Sequence, residues 1–321
     1  HLSIFRAFSA AVFGTTVLAG CLATSPTMPT ATPKARPKAL AGPIAPRTPS
    51  APSTASADLS RYYSRVQSDL LVQGLLRTDG GGPDTPFTSD SLTRNFERIA
   101  LHNEYASNAG LRASANSASV LRRWTAPVRM AVEFGPSVAT SIRSKDRAYV
   151  ASYANRLAHA SGHSVSLNDT NPNFYVLVMS EDDKATTVSR VKQIAPNIDR
   201  SSLSVFENLP RSIHCLVVAF SGSGNDHEYV RAIALVRAEH PDLMRKSCYH
   251  EELAQGLDLA NDSPQARPSI FNDDDEFALL TTHDELLLRI LYDKRLRIGM
   301  NAREALPIVK QIANGLVSGP S

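Results

Sequence analysis

The chain has 321 residues, 42% of them apolar, with a net charge of +3 and 20 prolines crowded toward its start. That length holds one sizeable domain with appendages, or two smaller domains. No basic run stands out, so the electrostatic footprint of a nucleic-acid binder is missing and nucleic acid is not expected as a partner.

Residues 1–21 read as an export signal. Arg6 is the only Lys or Arg, an apolar stretch runs from Ala7 to Ala19, and the segment closes on Leu18-Ala19-Gly20-Cys21. The apolar run is shorter than the ~20 residues needed to span a bilayer, and small residues precede the cut. The closing tetrapeptide resembles the bacterial lipobox, which implies lipidation at Cys21; a secretory signal with an incidental cysteine is the alternative. A lipid at Cys21 would hold the chain in the cell envelope, facing the periplasm. Leu22, in place of the Asp that retains such proteins at the inner membrane, favours the outer membrane.

Residues 22–57 are rich in Pro, Ala, Thr and Ser and lack any aromatic residue. Such a composition cannot bury a core and predicts a disordered tether. Residues 58–120 read as a helical cover. Leu59, Tyr62, Tyr63, Val66, Leu70 and Leu71 recur at helical spacing to about Arg77, and Leu92, Phe96, Ile99 and Leu101 mark a second helix over 89–106. A loop is expected over 107–119. Asp79, Asp84 and Asp90 could attract a cation, with solvated turn and cap positions as the plainer reading.

From residue 121 to 300 the pattern is mixed α/β, followed by a C-terminal helix and tail over 301–321. Strands are expected at 128–134, 164–167, 173–179, 216–220 and 230–236, with helices at 147–161 and 183–194 and a long loop at 195–214. Ser221-Gly-Ser-Gly-Asn-Asp-His227 lacks the Gly-Lys-Ser/Thr of a phosphate loop and reads as a turn. Asn272 to Glu276 reads as an acidic helix start. A helix from about His283 buries Leu286, Leu287, Ile290 and Leu291.

The stretch 246–262, Lys-Ser-Cys-Tyr-His-Glu-Glu-Leu-Ala-Gln-Gly-Leu-Asp-Leu-Ala-Asn-Asp, organises the rest. As a helix from about Ser247 it sets Glu251 and Gln255 one turn apart, with Glu252 beside them and Asn261 on the returning chain. In register, Glu251-Glu-Leu-Ala-Gln255-Gly-Leu-Asp-Leu-Ala-Asn261 resembles the His-Glu-x-x-His-x-Leu-Gly-Leu-x-His helix of metzincin zinc peptidases. Ser269, Ile270 and Phe271 stand where that family has its Met-turn, and Leu280-Thr281-x-x-Asp284 with Leu291-Tyr292 is similar to its closing helix. Residues 123–300 also resemble the bacterial domain-of-unknown-function family 2927, through Cys-x-x-Glu-Glu, Asn-Asp, Ser-Ile-Phe-Asn-Asp and Leu-Leu-x-x-Leu-Tyr. The resemblance implies an α+β fold: a zincin-like domain of mixed sheet and active-site-type helix, behind a helical segment and the tether.

The departures from the metzincin pattern set the functional expectation. Zinc peptidases use neutral imidazoles as ligands and a carboxylate as base on the metal-bound water. Here Glu251, Gln255 and Asn261 replace all three histidines, while Glu252 keeps the base position. One carboxylate and two amides speak against zinc and suit at most a weakly held calcium or magnesium ion. In a shifted register His250 restores one imidazole but Ala254 removes the next; His283 and His227 are outside candidates. Glu251 beside Glu252 could raise one carboxyl pKa and leave a usable acid. Cys215 and Cys248 form an even pair that invites a disulfide in an exported protein, with free buried cysteines as the alternative. The reading that results is an envelope lipoprotein whose domain has lost zinc and serves as a binding or structural module. Its partners would be the membrane, through the lipid, and an envelope protein or peptide. A hydrolase using Glu252 as general base is the alternative.

Overall fold

The computed structural model describes residues 51–105, 113–272 and 274–317. The expected export signal, Cys21 and the expected tether up to residue 50 lie outside the described residues. Helix α1 (Thr54–Val72) starts four residues before the expected boundary at 58 and stops short of Arg77. Ser53 caps it by accepting from the Ser56 amide, the usual reward for a serine at this position. Helix α2 (Ser89–Ala100) opens with a Thr88–Ser91 capping box. It ends six residues earlier than expected, because strand β1 (His102–Tyr105) follows and pairs antiparallel with β2 (Ala113–Ala118), where a loop was expected. Ala-Ser-Ala-Asn-Ser-Ala carries no apolar alternation, so periodicity cannot flag it as a strand.

The main sheet contains β3 (Val128–Phe134), β4 (Val165–Leu167), β5 (Phe174–Met179), β6 (Cys215–Gly222) and β7 (Asn225–Arg237), in the order β4-β3-β5-β7-β6. Four strands run parallel and β6 lies antiparallel on the β7 edge. The buried strands read as nearly continuous apolar runs, as parallel strands covered on both faces do. Helix α3 (Thr140–Ser161) connects β3 to β4 and begins seven residues before the expected start. Helices α4 (Lys184–Ile194) and α5 (Arg200–Glu207) join β5 to β6, and α5 replaces the loop expected over 195–214. The Ser221–His227 turn is the tip of the β6–β7 hairpin, where Gly222 pairs with Asn225.

Side chains alternate between two cores. Phe174, Val176, Val178, Ala232, Ala234 and Val236 enter the larger one, beneath α2, α3, α6 (Asp242–Gln255), α7 (Thr282–Leu291) and α8 (Ala302–Val317). Leu177, Met179, Ile233 and Leu235 enter the smaller one, beneath α4 and α5. Each of the larger side chains among them, Val, Leu, Ile, Phe or Met, contributes about 1.5–3 kcal/mol on burial. In α7 the buried stripe is Leu287, Leu288, Ile290 and Leu291, with Leu286 half-buried. No helix of the described residues is long and apolar enough to cross a membrane. The fold is therefore α+β with a mixed five-stranded sheet.

One expectation fails here. Residues 272–276 do not begin a helix: α7 starts ten residues past Asn272, on a Thr281–Asp284 capping box. Asp79 and Asp84 are exposed turn residues that take the Arg77 guanidinium, which also reaches Glu276, and Asp90, in the first turn of α2, faces Lys310 at 3.3 Å.

Candidate functional site

Helix α6 is the element on which the candidate residues sit, and buried polar bonds hold it in place. It begins at Asp242, five residues before the expected start, because Pro241 supplies an extended residue ahead of the first turn. Arg245 and Asp146 form a buried ion pair, and the same arginine donates to the His240 carbonyl at 2.6 Å. Tyr249 donates to Asp146 at 2.8 Å and Tyr153 to the His250 carbonyl at 2.7 Å. At the helix's far end Trp124 donates its indole N–H to the Gly256 carbonyl at 2.8 Å. Gly256 is required by contact: a Cβ there would lie 2.5 Å from Cζ of Phe174. Cys248 and Cys215 form a disulfide with Cα atoms 5.8 Å apart, tying α6 to the start of β6. With 33 residues between its ends, such a link is worth about 3–4 kcal/mol by loop-closure entropy.

Glu251 and Glu252 come together beside that disulfide. One oxygen of each carboxylate and Sγ of Cys215 all lie within 4.8 Å of one another. Glu252 is buried and Glu251 half-buried. Because Cys215 is spent in the disulfide, the cluster offers two carboxylates and no thiolate. It is the one group of three His, Cys, Asp or Glu ligand atoms at metal-binding spacing among the described residues.

Gln255 and Asn261 turn elsewhere. Gln255 donates Nε2 to Asp262 Oδ1 at 3.2 Å, which closes the returning chain onto the helix. Asn261 donates Nδ2 to the Arg98 carbonyl at 2.7 Å, and its backbone N–H donates to the Ile99 carbonyl at 3.1 Å. Asn261 thus fastens the loop after α6 to the last turn of α2. His250 is 2% exposed, and both ring nitrogens are taken: Nδ1 accepts from the Leu280 amide at 2.8 Å, and Nε2 faces the Tyr149 hydroxyl at 2.8 Å. Burial pushes its pKa down to about 3, so the ring stays neutral inside the core. His283 packs its Nε2 against Asn95 Nδ2 at 3.1 Å and its ring edge-on to Phe87. His227 lies against Gly299. These donors do not fit zinc: the His250 ring is engaged on both nitrogens, the cysteine is in a disulfide, and what is left is carboxylate and carboxamide oxygen.

The turn expected at Ser269, Ile270 and Phe271 is built around Asp284. Its carboxylate accepts from the Ser269 hydroxyl at 2.6 Å, from the Ile270 amide at 3.1 Å, and from the Thr281 amide and hydroxyl at 3.0 and 2.9 Å. Phe271 is fully buried, and its carbonyl accepts from the Ser263 amide at 2.8 Å. The capping box of α7 and the turn before it therefore share one carboxylate.

Asp258, placed by the sequence only as a polar turn residue near the end of the helix, has a further role in the structure. It is buried with φ of +90°, a backbone conformation costly for a non-glycine residue. It accepts from the Tyr229 hydroxyl at 2.8 Å and the Arg122 amide at 3.0 Å. Burial dominates and raises its pKa to about 7, against the pull of Arg122 and these hydrogen bonds. An aspartate three residues past a helix end carries no local signal of burial. A separate cavity of about 30 Å³ lies at the carboxyl ends of β5 and β7, with Ser180, Glu181, Lys184 and Arg237 in its wall and no residue of α6.

The family model described as a protein of unknown function (DUF2927) matches residues 89–311. The chain belongs to this family. No curated protein and no solved structure matches it. The matched span includes the whole sheet, α6, the Asp284-centred turn and most of α8; α1 lies outside it.

Proposed function

We propose that the chain is a cell-envelope lipoprotein whose domain is a metzincin-like scaffold, working without zinc as a binding or structural module. The observation that carries this reading is the fate of the ligand positions. Gln255 and Asn261 are hydrogen-bonded to Asp262 and to the end of α2, and both nitrogens of His250 are engaged in the core. The order of strands and helices supports the scaffold, as does the turn at Ser269–Phe271 docked against the first turn of α7. In this reading the lipid on Cys21 holds the domain at the membrane, outer rather than inner, and the partner is an envelope protein or peptide.

Elemental analysis of the full chain after mild dialysis tests it, with Glu251→Ala and Glu252→Gln alongside. Sub-stoichiometric zinc in all three supports the module. A stoichiometric transition metal that disappears in Glu251→Ala contradicts it. Mass spectrometry of envelope fractions tests the anchor: a lipidated Cys21 as the new N-terminus supports it, and an unmodified Cys21 removes it.

A second reading rests on the carboxylate pair. Glu251 and Glu252 converge beside the disulfide, and two adjacent acids can share the work of general acid and base without a metal. In a hydrolase of this kind Glu252 is the base. Peptide or glycan cleavage by the wild-type chain that Glu252→Gln abolishes, with the fold intact, would establish it.

A further inference from the structure

We propose that strand β6 is a self-pairing edge, through which two copies of the chain join their sheets antiparallel about a two-fold axis at Val218. The inner side of β6 pairs with β7 along Cys215 to Gly222, and no described strand pairs with its outer side. An open strand edge is a template for another chain, and proteins usually blunt such edges with charge, proline or brevity. The opposite edge of this sheet is blunted in that way, since β4 is three residues long. β6 is not. Cys-Leu-Val-Val-Ala-Phe-Ser-Gly holds no charge and no proline, and Val217, Val218, Ala219 and Phe220 are all only half-buried.

The strand also fits itself. Its register becomes irregular after Phe220, leaving Leu216–Phe220 as the regular run. With Val218 on the axis, Val218 meets Val218 of the second copy, Val217 meets Ala219, and Leu216 meets Phe220. Every cross-strand pair is then apolar, with no like charges opposed. Leu216, Val218 and Phe220 stand on the α4–α5 face, so the pairing extends that smaller core from one copy into the next. Val217 and Ala219 do the same on the α6 face. An interface in which one patch meets itself is the closed, two-fold kind, which ends at a dimer.

Sedimentation velocity of the full chain, from micromolar to hundreds of micromolar, tests the proposal. The expected result is a concentration-dependent doubling of mass that Val218→Lys abolishes and Ser166→Lys, on β4, leaves unchanged. Because Val218→Lys disturbs packing, a second readout uses Val218→Cys in a Cys21→Ser background under mild oxidation. Residues directly opposed across a strand pair bring Cβ atoms within disulfide reach, so this variant should crosslink to a dimer at least tenfold faster than Ser166→Cys. A chain that stays monomeric throughout, or that crosslinks equally at Val218→Cys and Ser166→Cys, overturns the proposal.

Discussion

Two buried polar regions flank helix α6, and they are built to different standards. Around Asp146, Arg245, Tyr249 and Asp284 every carboxylate and guanidinium meets a partner of opposite sign or a fan of donors, while His283 Nδ1, 3.6 Å from Asp284, has no hydrogen-bond partner among the described residues. Where β7 ends beneath α1, the inventory is equally polar but less complete. Arg237 Nε, Glu239 Oε2 and His240 Nε2 have no hydrogen-bond partner among the described residues. Tyr63 of α1 covers that region, its ring 4.3 Å from the His240 ring, and Ser56 donates to Glu239 at 2.7 Å. The first region lies inside the family-matched span; the second is closed by a helix outside it. The contrast is one of degree, between charges met in full and a cluster that α1 helps to close, and unpartnered buried groups cost stability that satisfied ones do not.

The largest expected effect tests the satisfied region. Asp146→Ala leaves Arg245 buried without its carboxylate and should cost about 3–5 kcal/mol in urea unfolding. An effect below 1 kcal/mol, on the ordinary scale of an exposed pair, would show that this network is not holding α6. Tyr63→Ala should cost about 3 kcal/mol through lost packing. If α1 is a cover, however, hydrogen exchange should show that loss in α1 and leave α6 protected; uniform loss across both would merge the two regions into one cooperative unit.

Titration sharpens the comparison with effects of opposite sign. His250 has a folded-state pKa of about 3, far below its ordinary value of 6.5. Its contribution is complete above pH 6.5 and is lost as pH falls toward 3. Asp258 has a folded-state pKa near 7, above its ordinary 3.8. Its contribution is greatest below pH 4 and is lost as pH rises to 7, at a slope of about 1 kcal/mol per pH unit. Asp258→Asn should therefore gain on the wild type as pH rises from 4 to 7; a pH-independent difference would contradict the buried, near-neutral carboxyl. The smallest effect is Ser56→Ala, about 1 kcal/mol for one hydrogen bond, read as the midpoint shift in the same urea series.

Much of the fold was legible because the sheet strands carry their own signal. Phe174–Met179 and Val128–Phe134 are apolar runs with turn residues at their ends, and the observed strands match them closely. β1, β2 and α5 were illegible: Ala-Ser-Ala-Asn-Ser-Ala and Arg-Ser-Ser-Leu-Ser-Val-Phe-Glu are short and polar, and pairing or packing decides their state. The site was half legible. Spacing set Glu251, Glu252 and Gln255 on one helix, and an even cysteine pair suggested the Cys215–Cys248 bridge that the structure contains. Spacing could not show that Asn261 turns to α2, nor that His250 is hydrogen-bonded on both sides, since those bonds come from residues over 25 positions away.

The central claim is that Gln255 and Asn261 serve to hold the fold together. Unfolding free energy of Asn261→Ala, with added zinc and with chelator, tests it most directly. The account predicts a loss of about 1–2 kcal/mol for the bond to Arg98, the same in both conditions. A wild-type chain that zinc stabilises, with a benefit that Asn261→Ala removes while leaving the chelated protein unchanged, would contradict it.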